Sequence, residues 1–246
     1  MKITVKREGR PYEVDLSRGI DCGSTFGDAN REPSAWYVDP VRIEPVRIED
    51  WVGSVAQGSS VNFYEVQLNP HGNGTHTECY GHIDKGHQKL SDHLKEAHGW
   101  IHFQRLPIKE QNGDRLLLLE DLKIPEEGFP DFVGIEAEGL PFPGHFSNSN
   151  PPYIEAALCK RLAEFGVKHL LTNLPSVDRE EDGGALAAHR AFWDYPNATR
   201  EEATITEFTN FDASLKEGFY FINLQTANIH SDAVPSRPVL YEAKAL

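Results

Sequence analysis

Positive charge is in short supply. Lys and Arg total 24 against 38 Asp and Glu, for a net charge of −14. Nucleic acid is therefore excluded as an expected partner, because phosphate binding needs clustered cations rather than a deficit of them. Cysteine is scarce as well. Cys22, Cys79 and Cys159 are odd in number and far apart, so no disulfide framework is expected and a reducing cytoplasm is the natural location. Long apolar runs are missing. No segment reaches the length of a membrane span, and the opening MKITVKREGRPYEVDL alternates charged with apolar residues instead of presenting a signal-peptide core, so no membrane partner is expected. Internal repeats and Pro/Ser-rich linkers are also lacking. For a chain of 246 residues, that absence predicts a single domain over residues 1–246 with a substantial core.

What is present is a mixed α/β succession. Alternation over residues 2–6 and 11–16, with Gly9 and Arg10 between, predicts an opening hairpin. Residues 41–52 alternate as a half-exposed strand broken by Pro45, and residues 60–68 read as a stronger strand. A short helix is expected over 90–97, buried strands over 115–121 and 131–136, and a loop over 142–152. Ile154, Ala157, Leu158, Leu162 and Phe165 fall at helical spacing over 153–165, with Gly166 as the stop, and the strand-like VKHLLTNL follows at once. ALAAHRAFW is a good helix former with His189 in its middle, and the chain closes on a strand over 238–242.

The densest chemistry lies in NPHGNGTHTECYGH, residues 69–82. His71, His76, Glu78 and His82 supply imidazole nitrogen and carboxylate oxygen, the donors that zinc prefers and that manganese or iron accepts. Gly72, Asn73 and Gly74 make a turn tolerant of positive φ, able to swing His71 back towards His76. If the segment then runs extended, side chains two apart share a face, which puts His76, Glu78 and conceivably His82 together. Helical spacing is disfavoured by the glycines and by the β-branched Thr75 and Thr77, and the HExxH pattern is absent. His87, His93, His98 and His102 lie among polar residues and are read as structural or solvated. His145, in the loop, is read the same way.

The run GTHTECYGH resembles the signature of the cyclase family of metal-dependent hydrolases, which includes bacterial kynurenine formamidase and isatin hydrolase. The usual form is H-x-G-T-H-x-D-x-P-x-H, and Gly74, Thr75, His76 and His82 match it. Three departures stand out: Glu78 replaces an aspartate, Gly81 precedes His82 with no proline in the motif, and His71 sits one residue further from His76 than the first ligand should. A one-residue bulge in the turn restores it. The resemblance extends from Asp15-Leu16-Ser17 to the closing segment. It implies a single-domain swivelling β/β/α fold, with a mixed sheet and flanking helices.

The same resemblance implies a site. His71, His76 and Glu78 would hold one metal, and Glu78, His189 and Glu207 a second, with His189-Arg190 matching a family pair and Glu207 preferred over Glu201 and Glu202. His82 would act as acid/base, and Trp36, from the early loop, would line the substrate pocket. Asp178 falls where the family reads S-x-D, but its surroundings differ, so it is read as a turn-capping residue. The implied activity is metal-dependent hydrolysis of an amide, or of a small cyclic amide or ester, with an N-formylkynurenine-type aryl formamide leading. The cofactor is one or two divalent ions, zinc first and manganese second; the partners are a small-molecule substrate and a second copy in a homodimer. The alternative is a non-catalytic or cupin-like metal-binding module. HGNG also resembles an esterase oxyanion loop, but no G-x-S-x-G elbow accompanies it.

Overall fold

Aliphatic and β-branched residues dominate three short runs, FVGIEA, HLLT and TITE, which form the strands Phe132–Ala137, His169–Thr172 and Thr204–Glu207. The structure, a computed structural model, describes residues 1–28 and 30–246. In it these strands run parallel to one another and to His98–Leu106, with Phe132 opposite both Ile101 and His169. The helices Ala156–Glu164 and Ala187–Trp193 make the two crossovers between them, as parallel pairing requires.

The remaining strands pair antiparallel and bring the sheet round on itself. Thr204–Glu207 pairs with His76–Cys79, which pairs with Ala233–Tyr241; that strand pairs with Gly218–Thr226, which returns to His98–Leu106. Seven strands thus close into a barrel-like ring, and Ile20–Asp21 adds a short eighth at the rim. The period-2 alternation of side chains then sorts the core. Val133, Ile135, Leu170 and Ile205 face the two helices, meeting Leu158, Leu162, Phe192 and Trp193. On the face away from the helices, Ile101, Phe103, Phe132, Leu171, Ile222 and Leu240 pack together.

The opening hairpin forms, from Lys2–Arg7 and Arg10–Asp15, but its two-residue turn is Glu8-Gly9, both at positive φ, with Arg10 already in the second strand. Other expectations shift. Tyr153 and Ile154 are not helical: they pair with Leu116 and Leu117, and the helix begins at Ala156. The helix expected over 90–97 shrinks to the single turn Leu90–His93. The strand expected over 60–68 is only Tyr64–Gln67, exposed throughout, and it pairs with Arg42–Pro45 outside the ring. Its apolar residues answer no core. Among the described residues, no helix is long and apolar enough to cross a membrane.

Candidate metal centre

The glycines after Pro70 shape the entry to the site. Gly72 N and Asn73 N both donate to the Asn69 carbonyl, at 3.2 and 2.9 Å, and the Asn69 side chain accepts His71 N at 3.0 Å. This tight turn supplies the extra residue between His71 and His76. A Cβ on Gly72 would come within 2.5 Å of Val38, and Gly74 sits at φ +82 with Ser24 Oγ 2.5 Å from where its Cβ would stand; neither position admits a side chain. The chain leaves the turn as the strand His76–Cys79. Glu207 pairs directly opposite His76, and Ile205 opposite Glu78. His76, Glu78 and Glu207 therefore share the helix-facing side of the ring. A 3-10 turn, Tyr80–His82, then brings His82 back over Glu78. Gly81 is required there, because a Cβ would lie 2.3 Å from the Gln88 carbonyl oxygen.

The side chains converge from four segments. His71 Nδ1 lies 3.1 Å from Glu78 Oε2, His189 Nε2 lies 3.0 Å from Glu78 Oε1, and His76 Nε2 lies 3.4 Å from Glu207 Oε2. His189 Nε2 is also 3.9 Å from Glu207 Oε1. His76, Glu78, His189 and Glu207 are buried, whereas His71 and His82 open towards solvent.

Each of three imidazoles has its outward nitrogen engaged: His76 Nδ1 with the Gly74 carbonyl at 3.0 Å, His189 Nδ1 with Asp178 at 2.6 Å, and His71 Nε2 with Asp232 at 3.0 Å. Such outer partners fix the tautomer, leaving the other nitrogen to face a cation. The site passes a direct test of fit. Among the described residues His76 Nε2 is buried without a hydrogen-bond partner, an arrangement that costs about 1–3 kcal/mol unless something binds there, and the buried Glu78 Oε2 has only the His71 imidazole, at 3.1 Å, beside it. Donor atoms of His71, His76 and Glu78 lie within 4.8 Å of one another, as do those of Glu78, His82 and His189 and those of His71, His82 and Asp232. These are borderline nitrogen and hard oxygen donors, suited to zinc or manganese.

Four carboxylates around these imidazoles govern its protonation. Burial opposes the charge on His71, but hydrogen bonds to Asp232 and Glu78 outweigh it and push the pKa up to about 10. His189 follows the same course: burial lowers it, Asp178 and Glu78 raise it more, and it reaches about 10. For His82, the Glu78 charge favours the proton, but burial and the neighbouring His71 and His189 charges hold it below its ordinary value. Asp232 falls to about 2, chiefly through its hydrogen bond from His71.

A stability profile follows for the metal-free protein. A raised histidine contributes stability that is fully present below its unfolded pKa of 6.5 and lost as pH rises towards 10. The Asp232 contribution is present above 3.8 and lost as pH falls through about 2. Chelator-treated protein is therefore expected to unfold at a lower urea concentration at pH 9 than at pH 6; an unchanged midpoint would contradict these pairings.

Of the residues expected from sequence, His71, His76, Glu78, His82, His189 and Glu207 are all brought into this cluster. Trp36 packs, partly buried, with Ala35, Phe146 and Phe208, and the Phe208 ring lies 6.0 Å from that of His76. Two residues were not expected. Asp178 caps the Ala187–Trp193 helix through Ala188 N and His189 N while holding the His189 ring. The sequence had suggested a cap on its own S-x-D turn, where instead Asp178 N donates to Ser176 Oγ at 3.1 Å; neither the helix cap nor the grip on His189 was legible. Asp232, just ahead of the strand Ala233–Tyr241, carried no sequence signal. Replacing Asp178 with asparagine is expected to weaken metal affinity by about 10–100-fold, measured by competition with a chelating dye. Unchanged affinity would mean that Asp178 is a helix cap alone.

The ring with its His/Glu cluster defines a class, and comparison with known proteins names it. The family model described as "Putative cyclase" matches residues 14–179. The chain belongs to that family. Among solved structures, a potential metal-dependent hydrolase with cyclase activity superposes with a TM-score of 0.65 at 16% identity, covering 91% of this chain and 97% of the other. Isatin hydrolase A from Labrenzia aggregata gives 0.62 at 14% identity, covering 91% and 93%. A predicted metal-dependent hydrolase from Bacillus stearothermophilus gives 0.61 at 15%, covering 91% and 98%. At these identities the likeness shows a shared fold. No curated protein sequence matches.

Proposed function

We propose that the protein is a metal-dependent hydrolase of an amide bond, or of a small cyclic amide or ester, with an N-formylkynurenine-type aryl formamide as the leading substrate. The observation that carries this reading is the buried, partnerless His76 Nε2, grouped with Glu78 and His71 so that their donor atoms lie within 4.8 Å of one another. His71, His76 and Glu78 would hold one divalent cation, zinc before manganese. His189 and Glu207 stand beside Glu78 and His76 to support a second. When bound, such an ion acidifies a water and polarises a carbonyl oxygen.

The chain's own residues supply the rest. Asp178, Asp232 and the Gly74 carbonyl hold the imidazole rings in place. His82, partly exposed and with its pKa held low, is neutral at pH 7 and can accept a proton and later return it to a leaving group. Its Nδ1 lies 3.8 Å from both Glu78 and Asp232, too far for either to tie it down.

The similar solved structures, a potential metal-dependent hydrolase and an isatin hydrolase, support the same class, and isatin is itself a cyclic amide. The three free cysteines are all buried, which suits the reducing cytoplasm proposed as its location. A cupin-like module is disfavoured, because the four parallel strands of the ring do not belong to an antiparallel jelly roll.

The test is an assay of purified protein on N-formylkynurenine and a panel of cyclic amides and esters, with and without chelator. Activity that is lost to chelator and restored by zinc or manganese is expected. Bound metal with no turnover across the panel would favour a binding module, and chelator-resistant activity would reject the metal reading.

A further inference from the structure

Beside the turn that leads into His76, the chain leaves a cleft of about 590 Å³ whose lining includes none of the metal donors. Small-molecule sites typically span roughly 300–1,000 Å³. The cleft is lined from Ile20–Asp21, Gly218–Thr226 and Ala233–Tyr241 at the rim of the ring, and from the early loop. Two of its residues hold Thr75, the residue before His76: Ser24 Oγ accepts Thr75 N at 2.7 Å, and Ser236 N donates to the Thr75 carbonyl at 3.0 Å.

Three charged side chains line the cleft. Asp21 Oδ2 takes Nε and Nη2 of Arg237, at 2.8 and 2.7 Å, which leaves Arg237 Nη1 outside that pair. Arg31 is exposed and, among the described residues, belongs to no ion pair. Two arginines against one aspartate leave a single positive charge, on a chain whose net charge is −14. Ser236 adds a second sign of an absent partner. It is only 6% exposed, and its Oγ is buried with no hydrogen bond among the described residues; buried polar atoms are ordinarily paired. Phe26, Ala227 and Pro235 give the same cleft an apolar wall.

We propose that this cleft binds a small organic monocarboxylate. Guanidinium groups present a planar fork that matches a carboxylate, and the Ser236 hydroxyl can donate to it as well. One negative charge balances the lining, whereas a dianion would meet Asp21 and a neutral ligand would leave Arg31 unanswered. The apolar wall suits an organic substituent over a bare inorganic ion. Hydrolysis of a carboxylic amide or ester releases a carboxylate, so on the proposed function, and only on it, the cleft would take up product close to the strand that carries His76.

Isothermal titration calorimetry on the metal-loaded full chain at pH 7 tests this with three probes: phenylacetate, its neutral analogue phenylacetamide, and sulfate. Phenylacetate is expected to bind at one site per chain, with phenylacetamide and sulfate each at least about tenfold weaker. Replacing Arg31 by glutamine is expected to weaken phenylacetate by about tenfold or more, while far-UV circular dichroism and the melting temperature hold because the side chain is exposed. Absence of phenylacetate binding would overturn the proposal. So would equal affinity in wild type and Arg31→Gln, which would put the carboxylate elsewhere, on the metal for instance; sulfate binding as tightly as phenylacetate would reject the monocarboxylate class. Turnover plays no part in the readout, so a protein that hydrolyses nothing can still pass and an active hydrolase can still fail.

Discussion

Purified His76→Ala protein is expected to carry less than about a tenth of an equivalent of divalent metal, where the wild type carries at least one. The reason is positional. His76 is fully buried, its Nδ1 is committed to the Gly74 carbonyl, and its Nε2 faces Glu207 at 3.4 Å with no hydrogen bond of its own. Of the two histidines in the first ligand set it is the less able to be replaced by a shifting neighbour, because the strand that carries it is paired on both edges. The fold should survive. Alanine forfeits ring packing but removes an unpaired buried nitrogen worth about 1–3 kcal/mol, so the two effects partly offset. Inductively coupled plasma mass spectrometry on the dialysed variant reads the result, and full metal content would remove His76 from the ligand set.

Substituting His82 with alanine is expected to produce the opposite pattern: metal retained and turnover lowered by about 10²–10⁴-fold. His82 is the more exposed of the two histidines flanking Glu78 at the mouth, with a side chain 31% exposed against 26% for His71. Among the described residues it makes no hydrogen bond that would orient it as a ligand, and its lowered pKa suits proton transfer near neutrality. Its donor atom nonetheless falls within reach of two potential ligand groups. Measuring metal content and kcat on the same preparation separates the roles, and parallel loss of both would make His82 a ligand.

The contrast between segments shows what the sequence could reveal. The histidine motif was legible because its spacing is short and its chemistry dense: period-2 alternation alone places His76 and Glu78 on one face. Helix periodicity likewise put His189 on a helix. That it meets Glu78 follows only from the closing of the ring and the second crossover, contacts 111 residues apart in sequence. Asp232 was invisible for the same reason, lying 161 residues from the His71 it holds. The run over residues 60–68 misled in an instructive way. Its apolar alternation read as a strong strand, yet only Tyr64–Gln67 is one and it stands exposed on a ribbon, because alternation fixes which residues share a face and not what covers that face. Glu207 was chosen from three glutamates by family resemblance, and the pairing of Thr204–Glu207 with His76–Cys79 supplies a physical reason for its position.

The central claim is that a divalent cation sits among His71, His76 and Glu78. Anomalous scattering from crystals grown with zinc, collected on either side of the zinc absorption edge, tests it most directly. A peak bounded by His71 Nδ1, His76 Nε2 and Glu78 Oε2 is the predicted result. Crystals saturated with the ion but lacking any peak among those three atoms would contradict it.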